Sequence, residues 1–170
     1  MADKMILFDK NIVNRDGDIR ERVVYQRHMA EGPLLKNTLA SDLTYYGITT
    51  IDTVGEAVAF GDMLFRESDS KYWIANAATT ATMPGLVMAI EDISADASGL
   101  LLHIGYVRND TWSWTLGGSS GLLYVSLNGI TGNTLTQTVP SGAKEQVQVI
   151  GYATEASEIY FSPSLVLVEI

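Results

Sequence analysis

The sequence predicts an all-β protein: a compact β-sandwich or barrel-like body over residues 41–170, carrying an extended N-terminal arm over residues 1–40. Three observations predict it. Runs rich in aliphatic, β-branched and aromatic residues recur every 8–12 residues with turn signals between them, the spacing of a sandwich or barrel. After residue 41 no stretch is at once amphipathic, long and free of breakers, as a helix requires. The charge also changes character near Ser41. Residues 1–40 hold seven of the eleven bases against six acids, and residues 41–170 hold four bases against fourteen acids.

In the arm, residues 5–13 are apolar without a clear period, and Asp16-Gly17-Asp18 reads as a turn. Residues 19–31 are charge-rich around Val23, Val24 and Tyr25, but their apolar positions make no stripe at helical spacing, and Gly32-Pro33 ends the segment. The arm has too few large apolar residues to fold alone. Two readings stand side by side: a partner-binding segment that orders on another surface, or an extra strand or short helix packed on the body. On the first, Arg15, Arg20, Arg22 and Arg27 are the candidate partner-binding residues.

In the body the expected strands are 44–49, 56–60, 63–66, 72–75, 85–91, 100–107, 111–115, 122–127, 134–138, 146–153, 158–161 and 165–170. Turns are expected at Asp69-Ser70, Ser98-Gly99, Arg108-Asn109-Asp110, Gly117-Gly118, Asn128-Gly129, Gly132-Asn133 and Ser141-Gly142, where Gly, Asn, Asp and Ser supply turn conformations. An internal echo links Gly61-Asp62-Met63-Leu64-Phe65 and 84–91 with Gly121-Leu122-Leu123-Tyr124 and 147–155, which predicts two repeated β-units over about 54–107 and 111–170. The tail 159–170 stays β-prone to its end. A strand of that kind is expected to pair within the body or across a subunit boundary, because a bare edge is adhesive.

Composition narrows the function. The chain is 46% hydrophobic and 18% charged, a globular and not a disordered balance. Without cysteine it has no disulfide, thiolate metal site or cysteine nucleophile. No run reaches the roughly 18 apolar residues of a membrane helix, and Asp9 and Lys10 interrupt any signal-peptide core. A net charge of −9 opposes non-specific contact with nucleic acid or membrane, so neither is an expected partner.

Catalytic constellations are equally thin. Gly117-Gly118-Ser119-Ser120-Gly121 matches the G-x-S-x-G nucleophile elbow in letters, but that elbow needs a following helix and a histidine, and 122–127 is strand-like. A Gly/Ser loop is the reading preferred. His28 lies in the arm, and His103 sits inside an apolar strand, as a hydrogen-bonded strand residue or a rim residue at a subunit contact. Glu91, Asp92 and Asp96, like Asp16 and Asp18, lack calcium-loop spacing and read as solvated turn acids. No catalytic residue, cofactor or metal is expected, and the chain is read as a non-enzyme. Trp112 and Trp114 alternate around Ser113, which places both indoles on one face of a strand, with Tyr106 and Tyr124 expected nearby. They serve either as a platform for sugar rings or as packing against core or a neighbouring subunit, the commoner role of such a pair.

Two stretches carry a resemblance. Val58-Ala59-Phe60-Gly61-Asp62-Met63-Leu64-Phe65, then Tyr72-Trp73-Ile74-Ala75-Asn76-Ala77 and Pro84-Gly85-Leu86-Val87-Met88-Ala89, resemble the pattern of head decoration (cement) proteins of tailed bacteriophages. Leu122-Leu123-Tyr124-Val125-Ser126, Val149-Ile150-Gly151-Tyr152-Ala153 and Phe161-Ser162-Pro163-Ser164-Leu165 resemble segments of phage virion structural and fibre proteins. The likeness covers about residues 54–170; residues 1–50 have no counterpart in it. It implies a β-tulip-like body, a homotrimer on the capsid exterior of the virion (made in the host cytoplasm), and a shell stabilised by bridging of the major capsid protein. It also implies an arm that reaches onto the shell, and no catalytic residues. The alternatives are a head-fibre, tail-fibre or baseplate component, or a carbohydrate- or receptor-binding module using Trp112 and Trp114.

Overall fold

The computed structural model describes residues 39–170, which form an all-β, barrel-like body. Arg15, Arg20, Arg22, Arg27 and the rest of the expected arm up to residue 38 lie outside the described residues. The strands are β1 (Thr44–Thr53), β2 (Met63–Arg66), β3 (Tyr72–Ile74), β4 (Val87–Ala89), β5 (Ser98–Arg108), β6 (Leu122–Ile130), β7 (Asn133–Thr136), β8 (Gln146–Val147), β9 (Val149–Glu155), β10 (Glu158–Phe161) and β11 (Val168–Glu169). Nine of them make one nearly closed antiparallel sheet in the order β3-β2-β4-β5-β10-β9-β6-β7, with β1 also on β5. Read from either end, this order is the same: an edge strand, its hairpin partner, then two more strands, the halves meeting where β5 pairs β10. A separate ribbon joins β8 to β11.

Burial explains the sequence pattern. Met63, Phe65, Met88, Leu102, Leu123, Val125, Ile150, Ile159 and Phe161 fill the interior between the halves. A second cluster of Val54, Val58, Leu64, Tyr72, Ile74, Val87 and Ile93 packs on the opposite face of β2, β3 and β4. Covered on both sides, β4 is buried at every residue and reads as a continuous apolar run instead of an alternation. Each fully buried Leu, Ile, Met or Phe here contributes about 1.5–3 kcal/mol of transfer free energy.

Several expected strands form differently. Residues 56–60 make no strand. Val54 and Val58 make only isolated bridges, to Tyr72 and to Ile93, and their side chains pack in the second cluster. Gly55 permits this close packing, since a Cβ there would sit 2.1 Å from the Trp73 ring. Residues 111–115 are likewise no strand. Their N–H groups go to separate partners: Thr111 to Asn109 Oδ1, Trp112 to the Asn109 carbonyl, Trp114 to the Ala156 carbonyl and Thr115 to Gln137 Oε1. The run 146–153 is split at Gln148, whose side chain turns inward. Asn128-Gly129 is not a turn, because β6 runs through it to a tighter turn at residues 131–132, where Gly132 takes a φ of +78°. Of the expected strand 165–170, only Val168–Glu169 pairs, on β8.

Candidate interaction surfaces

The two indoles come together, though off a strand. Trp112 and Trp114 have ring centroids 5.5 Å apart at a 52° tilt, and both pack against the core cluster. Their loop is held from two sides. Asn109 N–H and Trp114 N–H donate to the Ser157 and Ala156 carbonyls, and Gln137 clamps Thr115 by both its backbone N–H and C=O at 2.8 Å each. Under the indoles, Gly61 has a φ of +94°, and a Cβ there would come within 2.9 Å of Trp112. Neither Tyr106 nor Tyr124 stands beside them: Tyr124 is buried in β6, and Tyr106 lies on an outer sheet face.

Trp112 and Trp114 form one wall of a cavity of about 320 Å³, lined also by Leu43, Phe60, Asp92, Asn109 and Leu135 from separate segments of the chain. Asp92 Oδ1 accepts from the Phe60 N–H and Asn109 Oδ1 accepts from both Thr111 N–H and Thr111 Oγ1–H. The Trp114 Nε1–H has no acceptor among the described residues and is shielded from solvent. A buried donor left this way costs about 1–3 kcal/mol. Beneath the cavity, fully buried Asp62 accepts from Ala59 N–H, Gly132 N–H and Thr134 Oγ1–H, tying the start of β2 to the β6–β7 hairpin. Burial raises the Asp62 pKa above its ordinary value, against the opposing pull of those hydrogen bonds.

A second surface crosses four strands. Register places Tyr46 beside Tyr106, Tyr106 beside Tyr160, and Tyr160 beside Tyr152, a row of tyrosines over β1, β5, β10 and β9. Tyr106 and Tyr160 lie 5.0 Å apart between centroids at 54°, and Tyr152 and Tyr160 5.4 Å at 45°. Desolvation is the main cause of a raised Tyr106 pKa. Tyr46 and Tyr152 are exposed at the two ends, and Ile48 extends the apolar surface along β1. Arg108 flanks the row two residues along β5 from Tyr106, and its guanidinium donates to Asp110 Oδ1 and the Leu39 carbonyl.

Beside that row, β1 is an edge strand. Its ten residues pair β5 on one side and no other strand among the described residues. Natural edges are usually blunted by Lys, Pro or inward charges. Here β1 holds neither Lys nor Pro and one charge, Asp52; its one blunting device is a register shift between Ile48 and Thr49, and Ile51 is 73% exposed. The tail adds Leu165, 80% exposed, with Val166, Val168 and Ile170 also out.

The other sequence candidates take ordinary places. Gly118–Gly121 forms a short 3-10 turn leading into β6, and His103 Nε2 bonds Thr50 Oγ1 at 2.9 Å, across from the β1 edge. Glu91 receives the Leu100 N–H, Asp92 the Phe60 N–H, and Asp96 pairs Lys71. These acids do not converge, and no group of three metal-ligating side chains occurs among the described residues. No helix among them is long and apolar enough to cross a membrane. The chain matches no protein-family model and no curated protein sequence.

Proposed function

We propose that this chain is a virion structural protein: a decoration protein that binds the outside of a tailed-bacteriophage head, bridges major capsid protein subunits and associates with itself as a homotrimer. It works by burying surface and not by catalysis. The observation that carries this reading is the β1 edge, which pairs no second strand among the described residues, lying beside the row Tyr46, Tyr106, Tyr160 and Tyr152. An open edge offers main-chain hydrogen bonds to a neighbouring chain, and tyrosines give large contact area at small entropic cost. The phage-like segments around Gly61–Phe65 and 84–89 supply the virion placement. Each bound copy would stabilise the assembled lattice by mass action and avidity.

Two measurements test it. Light scattering on the purified chain should give three times its 18.5 kDa mass. Particles assembled without it should break at lower temperature or under milder osmotic shock than particles carrying it. A monomer in solution together with shells of equal stability would overturn the reading. Copy number separates head decoration, comparable with the capsid protein, from a fibre or baseplate part, present in few copies.

A further inference from the structure

We propose that the cavity walled by Trp112 and Trp114 binds a single pyranose ring at the end of a glycan. Its chemistry is mixed in the way a sugar is mixed. Two indoles and Phe60 offer faces for the C–H surface of the ring, while Asp92 and Asn109 stand at the same cavity for its hydroxyls. Asp92 Oδ1 and Asn109 Oδ1 are used inside the protein, whereas Asp92 Oδ2 and Asn109 Nδ2 have no partner among the described residues. One acceptor and one donor are thus left for a ligand. Trp114 Nε1–H is shielded from solvent and takes no part, so this indole acts through its ring face.

The lining residues exclude the main competitors. None of them is Lys or Arg, and Asp92 repels anions, so a phosphate or carboxylate ligand has no counter-charge. A quaternary ammonium would suit aromatic walls and a carboxylate, but it carries no acceptor for Asn109 Nδ2. The volume, about 320 Å³, sits at the small end of ligand pockets and fits one ring in place of a chain. The 52° tilt between the indoles points the same way, since a flat platform for a run of sugars needs coplanar rings. The loop is already fixed by Gln137 and residues 156–157, so little order is lost on binding. The site does not depend on self-assembly, and a monomer would bind equally well.

Tryptophan fluorescence of the full chain, titrated with methyl glycosides of glucose, galactose, mannose and N-acetylglucosamine, tests the site, with choline chloride and inorganic phosphate as counter-arms. The expected result is a saturable change with at least one glycoside, at a dissociation constant on the order of 1 mM. A trisaccharide ending in the same ring should bind within about threefold of the monosaccharide, because the cavity takes an end. Trp114→Phe keeps an aromatic ring but narrows the stacking face, and should weaken binding about threefold. Asp92→Asn keeps the oxygen that receives Phe60 N–H and should weaken it at least a few-fold if Trp114→Phe disturbs folding. Trp73→Phe, outside the cavity with its Nε1 donating to Asp69, should change nothing. No saturable signal from folded protein, binding untouched by both cavity variants, or a response to choline alone would overturn the proposal.

Discussion

Gln148 holds Gly85 by both backbone groups of that glycine: Oε1 accepts its N–H at 2.8 Å and Nε2 donates to its C=O at 2.8 Å. The same Nε2 also donates to the Ser164 carbonyl at 2.6 Å. One side chain, 1% exposed, therefore replaces a strand residue and joins the loop before β4 to the chain beyond β10. Removing it leaves three buried polar groups without partners. Gln148→Ala is expected to lower stability by about 2–5 kcal/mol, read from urea unfolding as a fall in midpoint at unchanged slope. A loss under about 1 kcal/mol would mean that water replaces the amide there.

The pairing of β1 with β5 depends on two facing glycines. Gly47 opposes Gly105, and a Cβ on Gly105 would lie 2.2 Å from the Tyr46 carbonyl oxygen. Backbone, and not a movable side chain, is the obstacle. Gly105→Ala is expected to detach β1 or cost more than about 3 kcal/mol, seen as loss of amide-exchange protection across residues 44–53 before the rest of the sheet.

On the proposed assembly, the open edge should be sensitive to charge. Ile51→Lys places a cation on a residue 73% exposed, so the fold has little to lose. The expected outcome is a monomer by light scattering with a thermal midpoint of the monomer close to that of the parent. A trimer that tolerates Ile51→Lys and Tyr46→Lys alike would place the interface elsewhere.

Asp62 sets a pH dependence whose sign follows from its raised pKa. Folding favours its protonated form, so its contribution to stability is fully present below its unfolded value near 3.8 and is lost as pH rises through the raised folded value. Relative to Asp62→Asn, the parent should therefore lose stability across that window on going up in pH. Asn also forfeits one of the two acceptor oxygens that Ala59, Gly132 and Thr134 use, so the variant is expected to be less stable at its best pH. Denaturant unfolding at a series of pH values gives both comparisons.

What the sequence determined by itself is local: an all-β body, and the strand bounds of β2 and β10, which the apolar runs 63–66 and 158–161 match residue for residue. Alternation and turn residues act over a few neighbours, and these signals survive folding. The indole pair was legible too, because residues two apart stay together whether or not they lie on a strand. Tertiary structure decided the rest, through contacts far apart in the chain. Gln148 reaches Gly85 across 63 residues, and Asp92, Asn109 and Leu135, far apart in the chain, line one cavity. Tyr46, Tyr106, Tyr152 and Tyr160 each lie in a different expected strand, the first beside Tyr45, yet only strand order and register align them. A one-residue slip in any pairing would turn the tyrosine there to the opposite face, which makes the row a property of the sheet and not of any segment in it.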